Sequence, residues 1–161
     1  MKSIHLQDFP QWSEWPARLL GRTEWKTPNR TVEKIDSEYD KDKYLSCLTF
    51  LDARSQAATP EDVKRFEFGA APDTPICVSL GNDLYELPLQ EARARYYALL
   101  IENLSPAIQA ARSVVELGAG YGYNLWLLRE RFKDKAFAGG EYSENATKVG
   151  ETLLQGGRDP R

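Results

Sequence analysis

Ser113-Val114-Val115-Glu116-Leu117-Gly118-Ala119-Gly120-Tyr121-Gly122 is a short β-type run that ends in three alternating glycines. A strand that turns sharply into a helix beneath a ligand needs residues without a Cβ at the bend. Glycine supplies the unusual backbone angles and permits close approach. A helical pattern follows from Leu125 to Phe132, with Leu128 and Phe132 on one face. The N-terminus of such a helix offers unpaired N–H groups and the positive end of its dipole, so the loop can hold a phosphate or the carboxylate of an amino acid. Beyond it, Lys135 to Tyr142 reads as a second strand, and Ser143 or Asn145 to Leu154 as a second helix. The order β-α-β-α begins a parallel, helix-covered sheet, so the fold class is α/β.

Spacing discriminates between ligands. The dinucleotide fingerprint Gly-x-Gly-x-x-Gly fails, because Tyr123 stands where its third glycine should fall. A phosphate loop is disfavoured because no Gly-Lys-Ser/Thr follows. Read alone, the glycines also suit a structural turn in some other α/β protein. An acid, Glu116, stands two residues before the first glycine. A second acid, Glu141, ends the second strand about twenty residues further on, where a carboxylate can accept hydrogen bonds from both hydroxyls of a ribose.

Together, Glu116-x-Gly118-x-Gly120-x-Gly122 and Gly139-Gly140-Glu141-Tyr142-Ser143 resemble motif I and the strand-two end of class I S-adenosylmethionine (SAM)-dependent methyltransferases. The resemblance covers residues 113 to 155. It implies a Rossmann-like sheet of order 3-2-1-4-5-7-6, of which this chain would supply strands 1 and 2. It implies SAM as cofactor and S-adenosylhomocysteine as product. Gly118, Ala119, Gly120 and Gly122 would line the methionine end, and Glu116 would orient that end through a water or the cofactor amine. Glu141 would hold the ribose, with Tyr142 or Ser143 beside adenine. Catalysis of methyl transfer rests largely on aligning the nucleophile with the sulfonium methyl. In this family a base usually follows strand 4, which is not in this chain, so no catalytic residue is named.

The region before the motif, residues 1–104, reads as a helical cap with a small hairpin at 76–87, and residues 105–161 as the partial cofactor domain. Pro16 suits the first turn of a helix over Ala17 to Leu20, with Trp12 and Trp15 anchoring it, and Trp25 follows. Thr27-Pro28-Asn29 reads as a loop. Val32, Ile35 and Tyr39, then Leu45, Leu48 and Leu51, recur at helical spacing around the charged run Glu38 to Lys43, which reads as an exposed face or turn. Thr59-Pro60-Glu61-Asp62 is a helix start, with a capping hydroxyl, proline at the first position and acids facing the dipole. Gly81-Asn82-Asp83 turns the hairpin. Gln90 to Asn103 is a helix carrying Arg93, Arg95, Tyr96 and Tyr97, and Ser105-Pro106 caps a short one ending near Arg112. In related enzymes a helix of this kind closes over the cofactor; otherwise Tyr97 is core and the arginines are solvated.

The totals bound the function classes. A net charge of −3 disfavours bulk nucleic-acid binding, which needs a basic surface. No run is long enough to span a membrane and no signal peptide opens the chain, so a cytoplasmic protein is the default. Cys47 and Cys77 match no zinc or redox spacing and read as buried thiols, and no metal site is expected. The single histidine, His5, falls in a terminal tail, which disfavours histidine catalysis. The sequence stops at Arg161, after the second helix, and Asp159-Pro160-Arg161 looks like a loop leading into strand 3. Two parallel strands alone leave open edges. The expectation is a fragment of a longer enzyme, or a sheet completed by a second copy, a partner chain or the N-terminal region. The acceptor is expected to be a small molecule such as a natural product or sugar, methylated on O or N. The competing expectation is a non-catalytic, methyltransferase-like SAM-binding subunit completed by a partner.

Overall fold

A computed structural model describes residues 1–24 and 31–156. Trp25, the Thr27-Pro28-Asn29 loop and Asp159-Pro160-Arg161 lie outside the described residues. The first elements in chain order are β1 (Lys2–Ile4), a 3-10 turn (Leu6–Gln11), α1 (Trp15–Leu19), α2 (Val32–Asp36), a π-helical segment (Ser37–Tyr44), α3 (Leu45–Asp52) and α4 (Pro60–Phe68). They are followed by β2 (Pro75–Leu80), β3 (Asp83–Pro88), α5 (Leu89–Ala110), β4 (Ser113–Leu117), α6 (Tyr123–Arg131), β5 (Ala136–Gly140) and α7 (Glu144–Gly156). The architecture is mixed α/β with two small sheets.

The chain forms two compact units, Met1–Asn29 with Ala71–Leu100, and Arg30–Ala70 with Ile101–Arg161. This division differs from the expected one at 104/105: α2, α3 and α4 belong with the glycine-loop unit, because α3 packs on α7 and α4 on α6.

In the first unit, β2 and β3 pair antiparallel from Pro75↔Pro88 to Leu80↔Asp83. That register makes Asp83 a strand residue and leaves Gly81-Asn82 as a two-residue turn, whose first position takes φ +63°, open to glycine at no steric cost. The N-terminus is not a tail. Lys2 to Ile4 adds a third strand, Lys2 opposite Glu86, with an ion pair of 3.0 Å at that rung. His5 precedes the 3-10 turn. Trp12 is half-buried and Trp15 opens α1, half exposed.

The second unit holds the glycine loop. Thr59 caps α4 as expected: its hydroxyl accepts from the Asp62 N–H at 3.2 Å, and the Asp62 carboxylate accepts from the Thr59 N–H at 2.9 Å. The helix stops at Gly69, φ +59°. The charged run Glu38 to Lys43 is π-helical and continuous with α2 and α3; Glu38, Lys41 and Asp42 form the expected exposed face, while Asp40 and Lys43 are half-buried and paired. One expectation fails here. Ser105-Pro106 does not start a new helix. It lies inside α5, because Ile101 and Ile108 pack in one cluster with Leu128, Phe132, Val114 and Phe137, and that stripe requires the helix to run through. Proline removes one backbone bond there, and the Ser105 hydroxyl turns back to the Ile101 carbonyl at 2.6 Å.

β4 and β5 pair in parallel, Ser113↔Ala136 through Leu117↔Gly140. α6 lies against β5, and a Cβ on Gly139 would fall 2.8 Å from Leu125 Cδ1 and 2.9 Å from Ala119 Cβ. The other side of β4 is open: Val115 is 64% and Leu117 85% exposed. Of the cysteines, Cys47 is buried and Cys77 half-buried. Among the described residues no helix is long and apolar enough to cross a membrane.

Candidate functional site

The tips of β4 and β5 bring the two acids and the glycine loop together. Gly118, Gly120 and Gly122 all take positive φ, at +69°, +57° and +84°. The alternation therefore reflects three left-handed backbone positions, which side-chain-bearing residues adopt only with strain. Gly120 has a second constraint, since a Cβ there would lie 2.7 Å from the Tyr44 hydroxyl. Tyr44 is 7% exposed, its ring meets Tyr121 edge-on at 6.4 Å, and burial pushes its phenol up.

The loop is tied down from β5. Gly118 and Ala119 donate to the Gly140 carbonyl at 2.8 and 3.1 Å, and Gly122 donates to Ala119 at 2.9 Å. Gly120 donates to Glu141 Oε2 at 2.6 Å. These N–H groups point at the protein's own acceptors, unlike a phosphate cradle, whose N–H groups converge on the ligand. The other Glu141 oxygen accepts from the N–H groups of Tyr142 and Ser143 at 2.8 and 2.9 Å. A carboxylate offers about four lone-pair sites, so by this count one remains, on Oε2.

Glu116 stands beside the loop with one oxygen held by Asn124 Nδ2 at 2.7 Å. Its Oε2 is buried and has no hydrogen-bond partner among the described residues. A buried carboxylate oxygen without a donor is costly, and an ordered water or a cationic donor would satisfy it. Tyr142 is 83% exposed and lines a cleft of about 760 Å³ with Gly118, Glu141, Ile35, Tyr39 and Tyr44. The same cleft is walled by the carboxylates of Glu33, Asp36 and Glu144, with Lys41 the one cation among its described lining residues. Ser143 is 6% exposed; its hydroxyl accepts from the Ala146 N–H at 3.0 Å and donates to Asp40 at 2.6 Å, so its polar atoms serve the start of α7.

Behind the loop lies a charged layer that sequence reading did not anticipate. Tyr121 donates to Glu67 at 3.1 Å and Tyr123 to Glu61 at 2.5 Å. Glu67 also receives Lys43 at 2.5 Å and Lys64 at 2.8 Å. Burial works to raise the Glu67 carboxyl, but the two ammonium groups hold it below the usual range. Burial likewise works to lower Lys43, and its bond to Glu67 outweighs that and raises it. Arg93, Arg95, Tyr96 and Tyr97 lie in the other compact unit, where Arg95 pairs with Glu91 at 2.8 Å and the tyrosine rings meet edge-on.

Asp40 and Tyr44, both on the π-helical segment, are among several cleft-lining residues that the motif did not point to, and they are the two that reach the 143–145 turn and Gly120. Their only sequence signal is an acid and an aromatic residue one helical turn apart, which any surface helix can carry. No cluster of three or more His, Cys, Asp or Glu side chains able to hold a metal occurs among the described residues. Comparison of the chain with family models, curated proteins and solved structures gives no match.

Proposed function

We propose that the chain forms the SAM-binding part of a Rossmann-like, class I-type methyltransferase. The observation that carries this reading is the buried, donor-less Glu116 Oε2 beside a loop with three glycines at positive φ. SAM at neutral pH carries a sulfonium, an ammonium and one carboxylate, hence a net positive charge. An acid-walled cleft attracts such a ligand and repels the pyrophosphate of a dinucleotide. In this reading Glu116, whose buried Oε2 lies outside the cleft lining, receives the ammonium directly or through a water, Glu141 offers its remaining lone pair to the ribose, and exposed Tyr142 covers adenine. Gly118, on the cleft, provides backbone that a ligand can approach closely, while Tyr44 occupies the space over Gly120. When bound, SAM supplies the electrophilic methyl group. The chain's own contribution is to orient the cofactor and exclude water around it, and the acceptor is a small molecule methylated on O or N.

Titration calorimetry of S-adenosylhomocysteine into the 161-residue chain tests this. Micromolar binding is expected, with NADH not binding. Glu116→Gln should weaken binding about ten- to hundredfold, the scale of a hydrogen bond to a charged group, while leaving stability unchanged or improved. A folded chain that binds no S-adenosylhomocysteine, or one whose Glu116→Gln variant binds equally well, would sink the assignment.

A second reading, a SAM-binding subunit completed by another chain, is favoured by one observation: the exposed apolar pair Val115 and Leu117 on β4. Parallel strands are normally covered on both faces. Methyl transfer by the isolated chain, monomeric in sedimentation, would exclude it.

A further inference from the structure

The start of α7 is capped from a distant helix. Ser143 already supplies a local cap, its hydroxyl accepting from the Ala146 N–H at 3.0 Å. The Asn145 N–H instead donates to Asp40 Oδ1 at 3.0 Å, across 105 residues of chain. The Ser143 hydroxyl donates to that same oxygen at 2.6 Å. Asn145 Nδ2 lies 3.1 Å from Asp40 Oδ2 and 3.0 Å from the Asp40 carbonyl. Four contacts on one acid exceed what capping needs, and what they add is location. The turn they anchor holds Glu141, whose other oxygen grips the Gly120 N–H. One helical turn further along the same π-helical segment, Tyr44 stands over Gly120. π-Helical turns are rare and concentrate at functional sites.

We propose that Asp40 is a positioning residue of the cleft: by fixing the 141–143 turn against the π-helical segment, it holds Glu141 on the glycine loop and Tyr142 at the cleft wall. The Ser143 hydroxyl and the Asn145 N–H keep the Asp40 carboxyl below the usual range, so it is an acceptor on both oxygens at neutral pH. The effect on cofactor affinity rests on the SAM reading; the mechanical coupling to Gly120 does not.

Native-state hydrogen exchange at the Gly120 and Asn145 amides of the full chain tests the coupling in wild type, Asp40→Ala, Asp40→Asn and Ile108→Val. Asp40→Ala should lower protection at Asn145, which it bonds, and also at Gly120, which it does not, by about tenfold beyond any global change. Asp40→Asn keeps the Oδ1 acceptor and should preserve Gly120 protection. Ile108→Val, which thins the Ile108–Leu128–Phe132 cluster and removes no contact of the loop or of the 141–143 turn, should leave Gly120 as in wild type apart from the global change. S-adenosylhomocysteine affinity should fall about tenfold in Asp40→Ala alone. Loss of protection at Asn145 with Gly120 unmoved would make Asp40 a cap and nothing more, overturning the proposal. Should Asp40→Ala not fold, Asn145→Ala removes the two Nδ2 contacts to Asp40, leaves the local Ser143 cap in place and carries the same comparison at Gly120. A coupled Gly120 in a chain that binds no S-adenosylhomocysteine would support the positioning role while refuting the cofactor.

Discussion

Alanine at Gly120 should cost more than alanine at Gly118, although both glycines take nearly the same backbone angle. At Gly118, φ is +69° and a new Cβ meets nothing within 4 Å. Its cost is the left-handed strain of an L-residue, about 1–2 kcal/mol, reduced slightly by the stiffer unfolded chain. At Gly120 the same strain applies, and the Cβ also falls 2.7 Å from the Tyr44 hydroxyl. That ring cannot swing aside freely, being 7% exposed and packed edge-on against Tyr121. Overpacking of this kind adds about 1–3 kcal/mol. Gly120→Ala should therefore destabilise by about 2–4 kcal/mol, roughly twice the cost at Gly118.

The excess can be separated from the strain. Removing the hydroxyl in Tyr44→Phe leaves Cζ as the nearest atom, at 3.6 Å, an ordinary contact. Tyr44→Phe alone should cost about 1 kcal/mol or less, and in the Gly120→Ala background it should recover about 1–2 kcal/mol. Urea unfolding of the four members of the cycle, with m-values held constant, reads the coupling directly. Equal losses at Gly118 and Gly120, or no recovery on adding Tyr44→Phe, would refute the placement of the π-helical segment over the loop.

Two further outcomes follow from the charged layer and the α4 cap. The folded Glu67 carboxyl is depressed, so its contribution is complete above the ordinary value of 4.5 and is lost as pH falls below that through the folded value. Lys43 is raised, so its share holds below 10.5 and disappears as pH climbs past that. Glu67→Gln should flatten the acid limb of a stability–pH curve, and Glu67→Ala should cost about 2 kcal/mol at neutral pH, since it strands two half-covered ammonium groups; an unchanged acid limb in Glu67→Gln would contradict the pairing. Thr59→Ala should cost about 1 kcal/mol in urea unfolding, the scale of a lost N-cap, and a loss within error of zero would mean that the Asp62 bonds do not act together.

Sequence reading succeeded where the deciding interactions are local. The Thr59 cap, the Gly81 turn and the run from Ser113 through the glycines into α6 depend on neighbours within a few residues, and backbone chemistry alone dictates them. It failed where the partner is remote. Three residues pairing with β3 carry no periodicity long enough to read, so β1 was invisible. Pro106 is a helix breaker by its own chemistry, and only the cluster joining Ile101 and Ile108 to α6 keeps α5 continuous. The π-helical segment misled for a different reason. Its wider turn shifts the inward face, so the stripe counted as Leu45, Leu48 and Leu51 leaves Leu45 47% exposed while Tyr44 and Cys47 turn inward.

The same distinction sharpens the site. Motif spacing left Tyr142 and Ser143 equivalent as neighbours of a bound adenine. A cap must face the helix it caps, and the Ser143 hydroxyl is engaged by the Ala146 N–H and by Asp40. Ser143 also lines the cleft, but at 6% exposure a side chain so held has little surface to offer a flat ring. Tyr142, with its N–H fixed by Glu141 and its ring exposed on the cleft, has both the fixed backbone and the free face that stacking requires. If a ring is bound at this turn, the burden of recognising it falls on Tyr142, and the role of Ser143 is to keep that turn from moving.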